Sequence, residues 1–281
     1  VKTILLERNY GFAEGYNRAL AQIEAEYFVL LNSDVEVKDD WISPMLQYLD
    51  THPEVAACQP KILSWHAPDK FEYAGAAGGY MDAWGYPYCR GRIMNTVETD
   101  EGQYNTVVPV FWATGAALMV RSAVYHEVGG LDARFFRPHG GDRPLLADAT
   151  GRLPGADRAP EPGLSPRGGS LAQGSPSKVF YNHRNNLAML YKCASPVQRS
   201  VVAIVRPVLD SCAALSYLMQ GRPDYVRAVG RAWRDFLRAH KALAAKRRAV
   251  RGAVKGKPRG IYCGSIVLRY LLGRRRFGKL L

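Results

Sequence analysis

With 281 residues, 47% of them hydrophobic and 22% charged, the chain suits one sizeable core with a helical annex, which excludes a wholly disordered protein. Five cysteines (Cys58, Cys89, Cys193, Cys212 and Cys263) stand far apart, form no C-x-x-C pair and are odd in number. Neither a disulfide framework nor a structural zinc site is expected, and a reducing cytoplasm is the default compartment. The net charge of +13 is unevenly placed: residues 221–281 hold 18 Lys and Arg against Asp224 and Asp235, a net of +16, which leaves −3 for residues 1–220. Such a tail suits nucleic acid or the anionic inner face of a membrane; a solvated helix face is the plain alternative. No apolar run approaches the roughly 20 residues that span a bilayer, and no secretion signal opens the text.

Val1–Leu6 (VKTILL) reads as a buried strand, so the text is expected to begin inside a domain. A turn at Arg8–Gly11 leads into a helix to about Ile23, and Tyr27–Leu31 (YFVLL) reads as a second buried strand. Two such runs joined by a helix predict a parallel β-α-β unit covered on both faces. A helix follows over about Asp39–Leu49, its first turn acidic, and then a strand at Val55–Cys58. From Phe71 to Tyr104 the frequent Gly, Tyr and Trp residues predict turns and short strands forming a pocket wall. Val107–Trp112 reads as a strand; Thr114–Arg121 and a short helix ending at Gly129-Gly130 follow. Residues 137–169 hold seven Gly, six Pro and no aromatic residue, and read as disordered. Helical patterning returns at Pro176–Tyr191, Val197–Met219, Tyr225–Val250 and, as an amphipathic stretch, Ile261–Leu272.

Asp34 follows the strand Tyr27–Leu31 in the string Leu-Asn-Ser-Asp-Val. In open α/β sheets ligands bind beyond the carboxyl ends of the strands, where a carboxylate can share Mg²⁺ or Mn²⁺ with a substrate's phosphates. The competing reading is an Asx turn. Asn9-Tyr-Gly-Phe-Ala-Glu-Gly-Tyr-Asn17 opens a helix, and its small residues would let backbone N–H groups approach a phosphate; a packing turn explains it as simply.

Taken together, Asn9–Asn17, Tyr27–Val35, Ala113–Arg121, Val128–Phe136 (VGGLDARFF) and Tyr181–Leu187 (YNHRNNL) resemble the family-two glycosyltransferases, particularly bacterial rhamnosyltransferases. The likeness covers most of residues 1–193. It implies an α/β GT-A fold, Rossmann-like, with a mixed sheet flanked by helices, and an inverting transfer of a sugar from a nucleotide diphosphate to a saccharide or lipid-linked acceptor in cell-envelope polysaccharide synthesis. It makes Asp34 the metal-binding acid of a degenerate D-x-D motif whose first place is Asn32. Asn9, Gly11, Gly15 and Asn17 would then border the nucleotide, Thr114-Gly115-Ala116 would line the sugar and acceptor pocket, and Arg184 would reach the diphosphate or pair on the helix surface. The cofactor implied is Mg²⁺ or Mn²⁺.

The text departs from the family's pattern twice. An upstream strand and a second acidic motif that would hold the nucleoside do not occur before Val1. The acidic general base, expected in text of the form His-Met-Glu-Glu-Ile-Asp-Leu-Cys-Trp-Arg, is replaced by Arg137-Pro-His-Gly-Gly-Asp-Arg-Pro144, and neither Gly140 nor Gly141 can deprotonate a hydroxyl. Pro138–Pro144 can be encoded CCA CAT GGA GGA GAT CGA CCT, which one base later reads His-Met-Glu-Glu-Ile-Asp-Leu. Residues from about 137 to 168 therefore read as a frame-shifted segment, with a true Pro/Gly-rich insertion as the alternative. Asp142 and Asp148 are the nearest replacement acids. Asp132 reads as a structural cap, as do the charges of Glu98, Asp100 and Glu101, while His126, His139 and His183 lack metal-ligand spacing.

The expected organisation is a partial catalytic core at 1–136, the aberrant segment at 137–169, the end of the catalytic domain at 170–196 and a basic helical extension at 197–281. In that extension Val226, Val229, Trp233, Phe236 and Leu237 share a face ringed by Arg227, Arg231, Arg234, Arg238 and Lys241, the pattern of an interfacial helix. Peripheral attachment to the inner membrane face is expected. Nucleic acid is the weaker rival, because no base-stacking module accompanies the charge. The reading of a different class is a non-catalytic membrane- or nucleic-acid-binding protein that keeps the fold.

Overall fold

The computed structural model describes residues 2–37, 40–73, 75–132, 152–153, 163–165, 175–253 and 259–279. Helix α1 (Gly11–Leu20) is followed by β1 (Tyr27–Leu31), α2 (Ser43–Thr51), β2 (Ala57–Cys58) and β3 (Ile62–Ser64). A four-strand run comes next: β4 (Gly79–Asp82), β5 (Pro87–Cys89), β6 (Arg92–Ile93) and β7 (Thr96–Val97). Then come β8 (Val108–Pro109), β9 (Ala117–Arg121), α3 (Ser122–Glu127), β10 (Arg152–Leu153) and β11 (Gly163–Ser165). The carboxyl-terminal part holds α4 (Pro176–Cys193), α5 (Pro196–Met219), α6 (Pro223–Ala253), β12 (Ile261–Tyr262) and α7 (Ile266–Leu271). This is a mixed α/β architecture with sheets flanked by helices, as a GT-A-like fold requires.

The site is carried by a three-stranded sheet in the order β1-β9-β2. Period-two alternation sends Phe28 and Leu30 of β1, with Leu118 and Val120 of β9, to one face against Ala13 and Leu20 of α1 and Tyr125 of α3. Val29, Ala117 and Met119 go to the other face against Met45 and Leu49 of α2. Burial on both sides is why this strand reads as an unbroken apolar run. A second sheet, β12-β4-β5-β6-β7, forms the wall around Phe71, Tyr88 and Trp112.

Several local expectations are corrected. Lys2–Leu6 forms no strand and Leu5 is 89% exposed. β1 sits at the sheet's edge and pairs antiparallel with β9, Tyr27 opposite Arg121 and Leu31 opposite Ala117, so the described residues contain no parallel β-α-β unit here. The reason is topological: without a ladder partner, an apolar run has no strand to join. Helix α2 starts at Ser43, where Pro44 suits the first turn, and Asp40 takes φ 55 outside it. Only Val108–Pro109 of Val107–Trp112 is paired as a strand, and Trp112 instead bridges Gly79. Ile261–Leu272 divides into β12, parallel to β4, and α7, capped by Ser265 Oγ accepting from Leu268 N–H.

The expectation that no run is long and apolar enough to span a bilayer also fails. Helix α5 has 24 residues and a most apolar stretch of mean hydropathy 1.6, so by length and composition it could cross a membrane. Arg206 and Asp210 interrupt the text, yet both are buried beneath the helix and leave its outer face apolar. Helix α4 packs along α6, and α5 packs on α6 as well. Gly140 and Gly141, and with them the expected catalytic base, lie outside the described residues, as do Asp142, Asp148 and His139.

Candidate active site

Beyond Leu31 the chain leaves β1 in a turn, with Val35 N–H donating to the Asn32 carbonyl at 3.2 Å. Asn32 N–H donates to the Ala116 carbonyl at 2.9 Å, which prolongs the β1·β9 ladder by one step. Thr114-Gly115-Ala116 is thereby held beside Asn32, two residues before Asp34, at one rim of the sheet. Asp34 is half-buried, and its carboxylate makes no hydrogen bond or ion pair with the described residues. Among those residues no group of three or more His, Cys, Asp or Glu is gathered to hold a metal alone. A lone carboxylate with free lone pairs fits a hard cation whose other ligands are substrate phosphates and water.

Helix α1 borders the same rim. Asn9 Oδ1 accepts from Gly11 N–H at 2.8 Å, and Gly11 takes φ 76, which lets the chain turn into the helix. The Phe12 ring lies so close to Gly115 that a Cβ there would stand 2.7 Å from Phe12 Cζ. Tyr16 OH donates to the Leu31 carbonyl at 2.9 Å, and burial pushes its phenol pKa up. Gly15 has open space: a Cβ on it would find only Leu6 Cδ1, at 4.0 Å. Asn17 turns away from this opening. Its Nδ2 donates to the Leu131 carbonyl at 2.8 Å, while its Oδ1 accepts from Leu131 N–H at 2.8 Å and from Tyr125 OH at 2.7 Å.

Two supports carried no sequence signal. Gln59, fully buried, accepts from Thr114 N–H at 2.7 Å through Oε1. Gly75, at φ 123, lies against the Thr114 side chain, where a Cβ would stand 2.6 Å from Cγ2. Nothing in the text around Gln59 marks it, because a single Gln has no periodicity. Asp132, read from the sequence as a structural cap, is an anchor between elements. Its buried carboxylate accepts from Lys192 Nζ at 3.3 Å and from Lys246 Nζ, so it ties α4 and α6 to the turn that Asn17 holds.

Arg184 takes the ion-pair alternative among the described residues. It reaches Asp235 of α6 at 3.5 Å and Asn185 Oδ1 at 2.9 Å, and shares a cleft of about 270 Å³ with Asp132. Burial lowers its pKa, opposed by Asp235. His126 packs edge-on against Phe28. His183 Nδ1 stands 3.3 Å from Asp210 Oδ1. Glu98 is buried, accepting from Tyr104 OH at 2.8 Å and Phe277 N–H at 2.7 Å, and Asp100 pairs with Lys61, so both serve the fold.

Comparison with known proteins bears on this rim. Residues 1–96 match the family described as Glycosyl transferase family 2, a stretch that includes α1, β1 and Asp34. Two curated relatives, each an "N-acetylglucosaminyl-diphospho-decaprenol L-rhamnosyltransferase" from a strain of Mycobacterium tuberculosis (CDC 1551 / Oshkosh and ATCC 25618 / H37Rv), are 26% identical over 145 residues. That alignment covers 46% of this chain and 46% of each relative, so the match spans about half the length of these curated relatives.

Proposed function

Starting from a chain whose first 96 residues are of the family-two glycosyltransferase type, we propose that it transfers a sugar from a nucleotide diphosphate donor, with inversion, to a saccharide or lipid-linked acceptor. The observation that carries this reading is the Asp34 carboxylate, which has no partner among the described residues and follows β1 at the end where β9 and the start of α1 meet it. The rhamnosyltransferase relatives make a deoxyhexose the sugar to test first and a prenyl-diphosphate-linked saccharide the acceptor to test first.

Asp34 would hold Mg²⁺ or Mn²⁺ together with the donor's diphosphate, and the ion would neutralise the charge that builds on the leaving nucleoside diphosphate. The chain's own residues set the space. Phe12 against Gly115 closes the floor of the rim, the open face of Gly15 leaves room for the nucleotide, and Gln59 fixes the Thr114 backbone beside the sugar. An acceptor hydroxyl attacks the anomeric carbon as a carboxylate takes its proton, and the carbon–oxygen bond to the diphosphate breaks. The text at Gly140-Gly141 supplies no such carboxylate, which favours a second reading: a chain that binds donor without turnover.

Calorimetry with a nucleoside diphosphate, with and without Mn²⁺, tests the proposal. Binding that requires Mn²⁺ and is lost in Asp34→Ala supports it; metal-independent binding, or none, sinks it. Single-turnover assays with deoxyhexose nucleotides then separate transfer from binding alone.

A further inference from the structure

We infer that α5 lies in the plane of an anionic membrane surface, its outer face in the lipid and its inner face on the protein. The outer face is a continuous apolar row, Val197, Val201, Ile204, Val208, Leu215 and Leu218, all exposed, with Ile204 at 73%. These spacings of three, four and seven keep them on one side of the helix over much of its length of about 36 Å. Isolated exposed apolar residues are ordinary, but a row of this extent marks a contact surface.

The inner face decides between lying on a bilayer and crossing it. Arg206 Nη1 donates to Asn186 Oδ1 at 2.6 Å and to the Gly85 carbonyl at 3.2 Å, its Nη2 donates to Asp210 Oδ1 at 3.1 Å, and its guanidinium stands 4.5 Å over the Tyr86 ring. Asp210 Oδ2 accepts from Trp233 Nε1 at 2.9 Å. Partners for this pair thus come from α4, α6 and the β4–β5 turn. Inserting α5 across a bilayer would strip both charges of those partners, a heavy cost in hydrocarbon. An in-plane helix keeps them and buries only the row.

Charge selects the occupant. Leu237 of α6 is exposed and lines, with Pro196 and Ala203 of α5, a cavity of about 480 Å³ at the seam of the two helices. Arg234 and Lys241, three residues before and four after Leu237, share its face of α6 and are exposed. Exposed Leu271 and Leu272 beside Arg274-Arg275-Arg276 repeat the pairing of lipid-seeking and basic side chains. A second copy of the chain would bring this positive surface against itself, whereas anionic headgroups complement it. The inference stands apart from sugar transfer, since its test reads lipid binding alone.

The full chain is floated with vesicles of phosphatidylcholine and phosphatidylglycerol, and with phosphatidylcholine alone. We expect capture by the anionic vesicles, a fall of about tenfold in Ile204→Glu/Val208→Glu, a fall of about fivefold in Arg234→Gln, and none in Leu5→Glu. The exposed substitutions should leave the urea midpoint unchanged, which separates lost docking from misfolding. Depth is read by brominated-lipid quenching of a bimane on one introduced cysteine at a time, at 197, 208 or 218, with Cys193, Cys212 and Cys263 replaced by serine and Cys58 and Cys89 buried. Equal, shallow depth at all three positions supports the in-plane helix. Graded depth, flotation indifferent to the α5 substitutions, dimers dissolved by those substitutions in lipid-free solution, or binding of duplex DNA without flotation would each overturn it.

Discussion

Replacing Asn17 by alanine removes three hydrogen bonds at once: from Asn17 to the Leu131 carbonyl, and from Leu131 N–H and Tyr125 OH to Asn17. Leu131 and Tyr125 are each 2% exposed, so water replaces the lost partners poorly. An intramolecular hydrogen bond contributes about 1 kcal/mol net, and a buried group left unpaired costs about 1–3 kcal/mol. Partial relaxation around the alanine brings the expected loss to about 3 kcal/mol, read as the shift in urea unfolding free energy at constant slope. Asn17→Asp is the sharper variant. It keeps an acceptor for Leu131 N–H and Tyr125 OH but sets a carboxylate oxygen against the Leu131 carbonyl, so it should also destabilise, and less so at acid pH where the carboxyl protonates and can donate. A cycle with Tyr125→Phe should return a coupling of about 1 kcal/mol. A cost below about 0.5 kcal/mol for Asn17→Ala, typical of surface substitutions, combined with weakened donor binding would refute this reasoning and return Asn17 to the nucleotide.

Burial pushes the Asp82 carboxyl up from 3.8 to about 6, although Tyr86, Ile266 and Trp84 N–H groups donate to it. Its folded pKa is raised, so its contribution to stability is fully present below about pH 4 and is lost as pH rises through about 6; that loss, about 3 kcal/mol, should be absent from the urea-midpoint profile of Asp82→Asn. Gly75→Ala should destabilise by at least about 2 kcal/mol and weaken donor binding, because it combines a left-handed φ of 123 with a Cβ 2.6 Å from Thr114 Cγ2; an unchanged urea midpoint would contradict it. The encoding DNA should read His-Met-Glu-Glu-Ile-Asp-Leu one base out of register across residues 138–144, and the frame-restored chain should turn over faster than the present one; a gene with no such offset ends that idea.

What could be read from the text was what depends on neighbours in sequence. YFVLL at residues 27–31 is a strand because both its faces are covered, and the string at 9–17 opens a helix against the same sheet, where Asn32 N–H meets the Ala116 carbonyl. What stayed hidden depends on distant pairing. Val1–Leu6 has strand-like composition, but Lys2–Leu6 finds no ladder partner among the described residues, while Ile261 and Tyr262 become a strand only because β4 offers one. Arg206 and Asp210 are charges in an otherwise apolar helix, and nothing local shows that Asn186, Gly85 and Trp233 wait beneath them. Asn17 was legible as important, yet its partner lies more than a hundred residues away.

That distant partner links the two halves of the molecule. Asn17 holds the backbone of Leu131, and the next residue, Asp132, holds Lys192 at the end of α4 and Lys246 on α6, so one dipeptide sets where α1 stands relative to the helical extension. If Asp132 instead acted as the catalytic base, Asp132→Asn would abolish turnover and leave stability intact. The anchor reading demands the reverse sign on stability. The amide keeps the shape but removes the charge that compensates two ammonium groups, of which Lys192 is nearly buried. Breaking a buried pair from one side costs about 3–5 kcal/mol, and since Lys246 keeps much of its water, about 2 kcal/mol is expected here. Because the carboxylate is screened little by solvent ions, that loss should persist at high salt, whereas a surface pair would fade. Unfolding measured in low and high salt decides it: a loss under about 0.5 kcal/mol, or one that vanishes with salt, would leave Asp132 no part in holding α4 to α6.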